Sequence, residues 1–344
     1  MTVPRIAING FGRIGRIVTR IAKLRKHFDV VAVNDLTEAE HLAYAFRFDS
    51  VHHEYKGTVE LRGKQIIIDG DPFEVLSEPD PAKLPWKDLG IDYVVESTGR
   101  FRKVNELKAH LEAGAQRVIV TVPTKDDLPS TVVLGVNDHV ITKDARIISN
   151  ASCTTNCVAP LAYILHKTFG VKRGLINTVH AYTSDQRLVD SPHKDFRRSR
   201  HAAINIVPTS TGAARTVGKI IPELEGKLDG LALRVPVPDG SIVDLTVELN
   251  RTVTREEIND AMRAAAEGPM NGILQYCEDP VVSTDIVGNC HSSIFDSLLT
   301  QVIDGNFVKV VAWYDNEWGY SSRVEDVIGI VARLDGLTSD YPQG

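Results

Sequence analysis

The sequence is poor in cysteine. Only four cysteines occur among 344 residues, at positions 153, 157, 277 and 290. Such a small and uneven set supplies neither a disulfide framework nor the ligand spacing of a zinc site. We therefore expect a reducing compartment and no bound metal.

The sequence also lacks an excess of positive charge and a long apolar run. Lysine and arginine number 39 against 45 for aspartate and glutamate, a net charge of -6. Binding to nucleic acid phosphates would call for a basic surface. A membrane span needs about 20 consecutive apolar residues, and the apolar stretches here are short and broken by charge. The N-terminus enters the strand-like run Arg5 to Ile8 without the plan of a signal peptide. We expect a cytoplasmic protein with neither nucleic acid nor membrane as a partner.

What is present is the balance of a globular protein, 43% hydrophobic and 24% charged, and the length favours two domains. In the first third, short β-branched runs alternate with helical patterns, which predicts a parallel sheet covered by helices. The predicted strands are Ile6–Asn9, Val30–Asn34, Tyr93–Glu96, Val118–Thr121 and Ile147–Ser149. Residues 54–76 predict an antiparallel hairpin that turns at Arg62-Gly63-Lys64.

The pattern changes after Ser149. A helix is predicted from Cys153 to Phe169 and ends at Gly170, and a long polar segment follows at 182–203. Loops of that length inside compact domains are usually functional. Further strands are predicted at 231–235, 241–249 and 307–313, with helices near 212–221, 254–266 and 322–334. This second part is therefore expected to be α+β.

A glycine-rich motif joins the first predicted strand to the first predicted helix. Gly10-Phe11-Gly12-Arg13-Ile14-Gly15 fits G-x-G-x-x-G in the strand–turn–helix context that makes this motif informative. The glycines let the backbone approach a pyrophosphate at the helix start. Asp35 follows about 20 residues later, where a carboxylate accepts hydrogen bonds from ribose hydroxyls and repels a 2′-phosphate. The motif predicts a dinucleotide site.

Cys153 is the candidate nucleophile because it falls in the first turn of a predicted helix, which Ser152 is suited to cap. A helix N-terminus stabilises a thiolate, so we expect the pKa of this thiol to be lowered. Taken alone, a cysteine is more often a small buried packing residue, and Cys157 on the same helical face is assigned to packing. His180 ends a strand-like run before the polar segment and is the candidate base.

Seven segments together resemble the glyceraldehyde-3-phosphate dehydrogenase family, in unbroken order from about residue 5 to about residue 334. They are INGFGRIGR (8–16), ESTGRF (96–101), SNASCTTNC (149–157), HAYTSDQR (180–187), PTSTGAA (208–214), ALRVPVPDGS (232–241) and WYDNEWGYSSR (313–323). The resemblance implies an α/β Rossmann dinucleotide-binding domain plus an α+β catalytic domain with a mostly antiparallel sheet. The implied bounds are 1–151 for the NAD-binding domain and 152–316 for the catalytic domain. A C-terminal helix, within 317–344, would return to the NAD-binding domain and end in a short tail.

The resemblance also implies a reaction. Cys153 would attack the aldehyde of D-glyceraldehyde 3-phosphate with His180 as base, NAD would be reduced, and inorganic phosphate would release the thioester as 1,3-bisphosphoglycerate. The residues matched to substrate and phosphate binding are Ser152, Thr154, Thr183, Asp185, Arg198, Thr211, Gly212 and Arg234. Those matched to the cofactor are Gly10, Gly12, Arg13, Ile14, Gly15, Asp35, Thr98, Thr121 and Asn316. In the family the 182–203 segment reaches a neighbouring subunit, which implies a homotetramer.

Several alternatives stay open at this point. Ser191-Pro192 combines features of strict NAD users and of dual-cofactor members, so NADP is a possible secondary cofactor beside NAD. Erythrose-4-phosphate dehydrogenase shares the cysteine and histidine, although Thr183, Thr211 and Gly212 argue against it. A semialdehyde dehydrogenase would lack the segments at 180–187 and 313–323. A non-catalytic NAD-binding scaffold would have no use for the intact Cys153 and His180.

Overall fold

The computed structural model describes residues 3–337, and these form two compact units. The first unit comprises residues 3–132, 138–151 and 321–337, and the second comprises 133–137 and 152–320. The predicted tail lies mostly at 338–344, outside the described residues. Among the described helices, none combines the length and the apolar character that crossing a bilayer requires.

The first unit is built on an eight-stranded sheet in the order β3-β4-β5-β2-β1-β6-β7-β8. Its strands are β1 (Arg5–Asn9), β2 (Asp29–Asn34), β3 (Val59–Arg62), β4 (Gln65–Ile68), β5 (Asp71–Leu76), β6 (Tyr93–Glu96), β7 (Arg117–Val120) and β8 (Ile147–Ser149). Its helices are α1 (Arg13–Arg25), α2 (Ala39–Arg47) and α3 (Val104–Glu112).

Six strands of this sheet, β5, β2, β1, β6, β7 and β8, are mutually parallel, the arrangement of a doubly wound dinucleotide-binding domain. The central strands are buried on both faces and are therefore almost wholly apolar: Ile6, Ala7 and Ile8 have no exposed surface. The carboxyl ends of β1, β2 and β6 consequently meet at one edge, where ligands bind in such sheets.

The predicted hairpin is present as β3 and β4, an antiparallel pair. The strand β5 was not predicted separately. It pairs antiparallel with β4 and parallel with β2, and so links the hairpin to the parallel sheet. Pro72 and the acidic residues at its start and middle hide its strand pattern.

The second unit contains a mixed, mostly antiparallel sheet in the order β10-β11-β9-β12-β16-β14-β13, with β15 added on β16. Its strands are β9 (Val171–Ala181), β10 (Val207–Ser210), β11 (Leu228–Val235), β12 (Ser241–Leu249), β13 (Leu274–Cys277), β14 (Ser293–Asp296), β15 (Gln301–Ile303) and β16 (Phe307–Tyr314). Its helices are α4 (Cys153–Phe169), α5 (Ala213–Ile220), α6 (Arg255–Glu267) and α7 (Ser283–Ile286). The last helix, α8 (Trp318–Leu334), begins in this unit and belongs to the first unit from residue 321 onward. The predicted fold class is confirmed in both units.

The long β9 is the centre of the second sheet. It pairs in parallel with β11 and antiparallel with β12. The parallel register places Arg234 directly beside His180. The sheet thus brings together two polar residues that are 54 positions apart in the chain.

Candidate active site

A cleft of about 290 Å³ lies in the first unit at the carboxyl ends of β1, β2 and β6. The residues that line it are Asn9, Gly10, Gly12, Asn34, Asp35, Leu36, Glu78, Pro79, Ser97, Thr98, Arg100 and Phe101. Four of the predicted cofactor residues, Gly10, Gly12, Asp35 and Thr98, therefore share one cleft.

Each of the three glycines of the motif is required for a different structural reason. Gly10 has φ +93°, and a Cβ there would lie 2.6 Å from the backbone nitrogen of Thr98. A Cβ on Gly15 would lie 2.3 Å from the carbonyl oxygen of Gly10, so α1 packs too closely for any side chain. At Gly12, which precedes α1, a Cβ would meet no atom of the described residues within 4 Å. That position is open on the cleft side, where a ligand can approach the backbone.

The remaining predicted cofactor residues are not among those that line the cleft. The Arg13 side chain pairs with Asp49, with 2.6 Å between Nη1 and Oδ2. Ile14 and Gly15 lie within the first turn of α1. Thr121 is buried and donates its hydroxyl to the carbonyl oxygen of Glu96. Asn316 belongs to the second unit, where its Oδ1 accepts a 2.6 Å hydrogen bond from Ser241.

The residues of this cleft fit a dinucleotide. Asp35 is held by the backbone N–H groups of Phe11 and Thr37, at 2.9 and 3.0 Å, which fixes a carboxylate at the end of β2. Within the described chain, no side chain caps the start of α1 and no acidic residue occupies its first turn. The positive end of the helix dipole therefore faces the cleft without an internal carboxylate to neutralise it.

In the second unit, Cys153 is the first residue of α4. The predicted cap is confirmed: the Ser152 hydroxyl accepts the backbone N–H of Thr155 at 3.1 Å. Cys157, one turn further, is fully buried, and its Sγ lies 3.6 Å from the Ser293 hydroxyl. The predicted packing role for Cys157 agrees with this burial.

His180 lies beside the candidate nucleophile, with 3.5 Å between its Nε2 and Cys153 Sγ. Its Nδ1 lies 2.5 Å from Arg234 Nη1 and 2.7 Å from the carbonyl oxygen of Ala181. Because a guanidinium only donates and a carbonyl only accepts, these two contacts favour opposite tautomers of the ring. With the hydrogen on Nδ1, bound to Ala181, Nε2 is an acceptor for the thiol. With Arg234 donating to Nδ1, Nε2 carries the hydrogen and faces a thiolate.

The pKa of the Cys153 thiol is shifted in the opposite direction from the prediction. Burial raises the pKa of the Cys153 thiol, although the charge of Arg234 and the backbone N–H of Thr154 act in the opposite direction. Burial and the Arg234 charge lower the pKa of His180 to about 3. The expected lowering of the thiol pKa is therefore wrong for this structure. The helix start favours an anion, but the cost of desolvating it is larger.

A hydrogen-bonded cluster surrounds Arg198 of the 182–203 segment. Arg198 pairs with Asp185, and its Nε donates to the Thr209 hydroxyl at 2.9 Å. Asp195 accepts the hydroxyl of Thr209 at 3.1 Å and lies 3.6 Å from Arg198 Nε. Asp185 thus holds its neighbours in place, and its pKa is lowered because the bond and charge of Arg198 outweigh burial.

The other predicted phosphate residues occupy nearby turns and helix starts. Thr183 is partly buried, and its backbone N–H donates a weak 3.4 Å hydrogen bond to Gln186 Oε1. Gly212 is exposed and precedes α5, and Thr211 accepts the N–H of Ala213 at 3.2 Å. Thr154 instead turns its hydroxyl to Tyr314, at 2.9 Å, within a buried network.

Sequence reasoning missed two residues of this region, Thr209 and Tyr314. Thr209 follows the apolar Val207 at the strand period of two in β10, so the signal that could have found it is that both side chains face inward. Tyr314 stands two positions before Asn316, accepts or donates at both Thr154 and Thr178, and packs edge-on to the His180 ring. No sequence signal marks it, because its partners come from α4 and β9.

Comparisons with known proteins identify one enzyme family in both parts of the chain. The family model described as glyceraldehyde 3-phosphate dehydrogenase, NAD binding domain, matches residues 4–104. The model for the C-terminal domain of the same enzyme matches residues 152–316. Glyceraldehyde-3-phosphate dehydrogenase of Borreliella burgdorferi is 55% identical over 330 residues, 94% of this chain and 98% of the relative. That of Geobacillus stearothermophilus is 53% identical, over 95% and 98% of the two chains.

A eukaryotic relative gives the same result. Glyceraldehyde-3-phosphate dehydrogenase 1 of Schizosaccharomyces pombe is 51% identical over 97% of this chain and 100% of its own length. Nothing in these relatives favours erythrose-4-phosphate dehydrogenase. With both domain models matched in order and half of all positions identical, the chain belongs to the glyceraldehyde-3-phosphate dehydrogenase family and is an NAD-dependent oxidoreductase of glycolysis.

Proposed function

We propose that Cys153 and His180 carry out the phosphorylating oxidation of D-glyceraldehyde 3-phosphate through a thioester. The observation that carries this assignment is the 3.5 Å contact between Cys153 Sγ and His180 Nε2 at the start of α4. A nucleophile within hydrogen-bond reach of a base, itself oriented by a third group, is the general arrangement of covalent catalysis. The Ala181 carbonyl provides that orientation, because it accepts the hydrogen of Nδ1 and leaves Nε2 free to take a proton.

In the first step the sulfur of Cys153 bonds to the aldehyde carbon, and its proton passes to His180 Nε2. The ring then returns a proton to the aldehyde oxygen, which gives a hemithioacetal. In the second step His180 takes the hydroxyl proton while the carbon loses a hydride and becomes a thioester. Bound NAD supplies the acceptor for that hydride. Phosphate oxygen then attacks the thioester carbon and the carbon–sulfur bond breaks. The departing sulfur takes back the proton that His180 holds, so Cys153 is restored as a thiol and 1,3-bisphosphoglycerate is released.

Two cationic positions hold the phosphates in this proposal. Arg234, with a buried Nε for which the described residues provide no partner, suits the phosphate of the substrate together with Thr183 and Asp185. Arg198 suits the attacking phosphate. The hydroxyl and backbone donors proposed to complete that site are Ser152, Thr154, Thr211 and Gly212.

The cofactor is assigned to the cleft of the first unit, with Gly10, Gly12 and the start of α1 at the pyrophosphate. Thr98 lines this cleft, and Asn316 is assigned to the carboxamide of the nicotinamide. The further residues assigned to the cofactor are Arg13, Ile14, Gly15 and Thr121. The anchored carboxylate of Asp35 favours NAD over NADP because it would repel a 2′-phosphate. NADP is then a poor secondary cofactor.

A homotetramer in the cytoplasm is the proposed assembly. The 182–203 segment exposes large apolar side chains, with Phe196 87% and Leu188 73% exposed in the single chain. Such a patch is typical of a protein–protein interface. All four cysteines are unpaired, which suits a reducing compartment.

An assay of NAD reduction with glyceraldehyde 3-phosphate tests the proposal. We expect sustained turnover only with phosphate or arsenate, because either ion can cleave the thioester. Without them we expect a burst of about one equivalent of NADH per site. Iodoacetamide or the substitution Cys153→Ala should abolish both phases. Undiminished oxidation by the Cys153→Ala variant would overturn the assignment.

A further inference from the structure

A chain of buried hydrogen bonds lies beneath the cofactor cleft, within the first unit. It joins Asn9, Asn34 and Glu96, the last residues of β1, β2 and β6, to Trp86 and His110. All five residues are at least 95% buried. Buried polar side chains of this kind are costly unless each finds its partner, so the pattern of donors and acceptors is informative.

Trp86 sets the direction in which hydrogen bonds are donated along this network. An indole N–H can only donate, and it lies 3.0 Å from Nδ1 of His110. Nδ1 must therefore be an acceptor, and the hydrogen of the imidazole is on Nε2. Nε2 lies 3.1 Å from Oε2 of Glu96 and donates to it. The indole thus selects one neutral tautomer of the histidine.

Glu96 receives donors on both oxygens. Asn9 Nδ2 donates to Oε2 at 2.6 Å, and the backbone N–H of Thr98 donates to Oε1 at 2.9 Å. The Thr98 hydroxyl accepts the N–H of Arg100 and so turns its own hydrogen to Oε1. With His110, four donors surround one carboxylate, which is the environment of an anion rather than of an acid.

The same polarity continues into the wall of the cleft. Because Asn9 gives its amide hydrogen to Glu96, its Oδ1 faces Asn34 and accepts from Nδ2 at 2.7 Å. Asn34 also binds the backbone of Glu78 twice. Its Oδ1 accepts the N–H of Glu78 at 2.8 Å, and its Nδ2 donates to the carbonyl oxygen of Glu78 at 2.9 Å. Asn9, Asn34, Glu78 and Thr98 all line the cleft. Reversing the His110 tautomer would leave two acceptors facing each other at Glu96.

We propose that Trp86 and His110 are positioning residues for the cofactor, acting through Glu96 on the cleft residues Asn9 and Thr98. The inference rests on the proposed assignment of NAD to this cleft. Neither ring lines the cleft, so their effect is indirect. The anionic Glu96 holds the ends of β1 and β6 and the turn at Thr98 in one arrangement before the cofactor arrives, which removes an ordering cost from binding.

The first test needs no substitution in the network. Histidine ring ¹⁵N chemical shifts in the full-length protein, with His110 assigned from a His110→Gln sample, report the tautomer at neutral pH. We expect the pattern of a single Nε2–H tautomer. An Nδ1–H tautomer, or a mixture of the two, would overturn the inference.

The second test is calorimetric binding of NAD to Trp86→Phe, which keeps an aromatic ring and removes the donor. We expect the Kd for NAD to rise about fivefold, the usual effect of losing one buried hydrogen bond. The KM for NAD should rise in parallel, while kcat at saturating NAD stays within about twofold, because the chemistry occurs at Cys153. Glu96→Gln should have a larger effect, since an amide cannot accept from four donors.

Trp313→Phe is the matched control. Trp313 donates its indole N–H to Asp296 at 3.1 Å in the second unit, so the same chemical change is made away from the cleft. We expect its Kd for NAD to match that of the parent. A Trp86→Phe variant that binds NAD as the parent does, while Gly12→Ala binds weakly, would overturn this inference and leave the cleft assignment intact. Parent-like NAD binding in Gly12→Ala as well would overturn both.

Discussion

The reactivity of Cys153 depends on the residues around its sulfur more than on its place in the chain. The start of α4 and the guanidinium of Arg234 favour the thiolate, and burial opposes it more strongly. His180 is kept neutral by burial and by the same guanidinium. The resting pair is therefore a thiol beside a neutral imidazole, and ionisation is coupled to proton transfer toward His180.

Alkylation of Cys153 by iodoacetamide tests the role of Arg234. Because the pKa of the thiol is raised, the rate should increase with pH throughout the range from 7 to 9. Arg234→Leu removes the positive charge that most favours the thiolate, so its rate at pH 8 should be lower by about threefold or more. Arg215→Leu, an exposed change on α5, serves as the control and should keep the parent rate. Faster alkylation in Arg234→Leu would contradict this electrostatic account.

The pH dependence of kcat/KM tests the state of His180. Since the pKa of His180 is lowered to about 3, the base is neutral across the working range. We expect no acidic limb near pH 6.5 from this histidine. His180→Asn should lower kcat/KM by about 10² to 10⁴, the usual contribution of a positioned base. A limb near pH 6.5 that is present in the parent and absent in His180→Asn would show that the ring is protonated in the free enzyme.

Among the secondary-structure elements, α1 shows how two glycines of one motif differ in purpose. Gly12 borders open space at the start of the helix, and Gly15 packs against the backbone of Gly10. Glycine at position 12 therefore leaves room for the ligand, and glycine at position 15 allows the helix to pack against the loop after β1.

Gly12→Ala and Gly15→Ala form a matched pair. Gly12→Ala should change the free energy of unfolding by less than about 1 kcal/mol, because the new methyl meets no atom within residues 3–337. Its Kd for NAD should rise about tenfold or more, because the methyl lies where the pyrophosphate approaches. Gly15→Ala should lose about 1 to 3 kcal/mol through overpacking. Urea unfolding and calorimetric NAD binding measure the two effects, and equal destabilisation of both variants would contradict the assignment.

The helix α8 carries a buried carboxyl that makes stability depend on pH. Glu325 has no exposed surface, and its Oε2 lies 2.9 Å from Arg25 Nη1 at the end of α1. His27 Nδ1 lies 3.8 Å from Oε1, and Arg323 and Asp326 share the same helix. Burial, only partly offset by Arg25, raises the pKa of Glu325 to about 8.

A folded-state pKa above the unfolded value means that the folded protein holds the proton more tightly. The stabilisation is complete below the unfolded pKa near 4.5 and is lost as pH rises through about 8. The parent should therefore lose stability between pH 6 and pH 9, and Glu325→Gln, which stays neutral, should lose less. The melting temperature at each pH measures this, with the exposed Glu60→Gln as control. An unchanged slope in Glu325→Gln would contradict the raised pKa.

At the scale of the whole molecule, the proposed tetramer rests on apolar side chains that are exposed in the single chain. Leu188 and Phe196 of the 182–203 segment are exposed, as are Ile204 and Ile206 directly after it, so an isolated chain would present all four to water. Burying such residues between subunits yields about 25 cal/mol per Å² of apolar surface.

Sedimentation velocity at micromolar concentration should show a tetramer for the parent protein. Phe196→Ser should shift the distribution toward smaller species, since it removes the most exposed large side chain of the segment. Val282→Ser, an exposed apolar change outside the segment, should leave the tetramer intact. A monomeric parent would contradict the proposed assembly.

The sequence predicted the central strands of the first unit well, because strands buried on both faces are short apolar runs that stand out. It predicted β13, β14 and β15 poorly. These strands are three or four residues long and lie among polar residues, so no periodicity can develop. At the site, Thr211 was named and Thr209 was missed, because the contact with Arg198 depends on how the 182–203 segment folds back on β10.

The sequence by itself determined the glycine loop before α1, the cysteine at the start of α4 and the division into two sheet types, since each depends on neighbouring residues. Only the tertiary structure decided which groups set the protonation of that cysteine. The register of β9 and β11 brings Arg234 to His180, and the packing of α3 brings His110 between Trp86 and Glu96. Burial and long-range charge act through space, and spacing along the chain does not encode them.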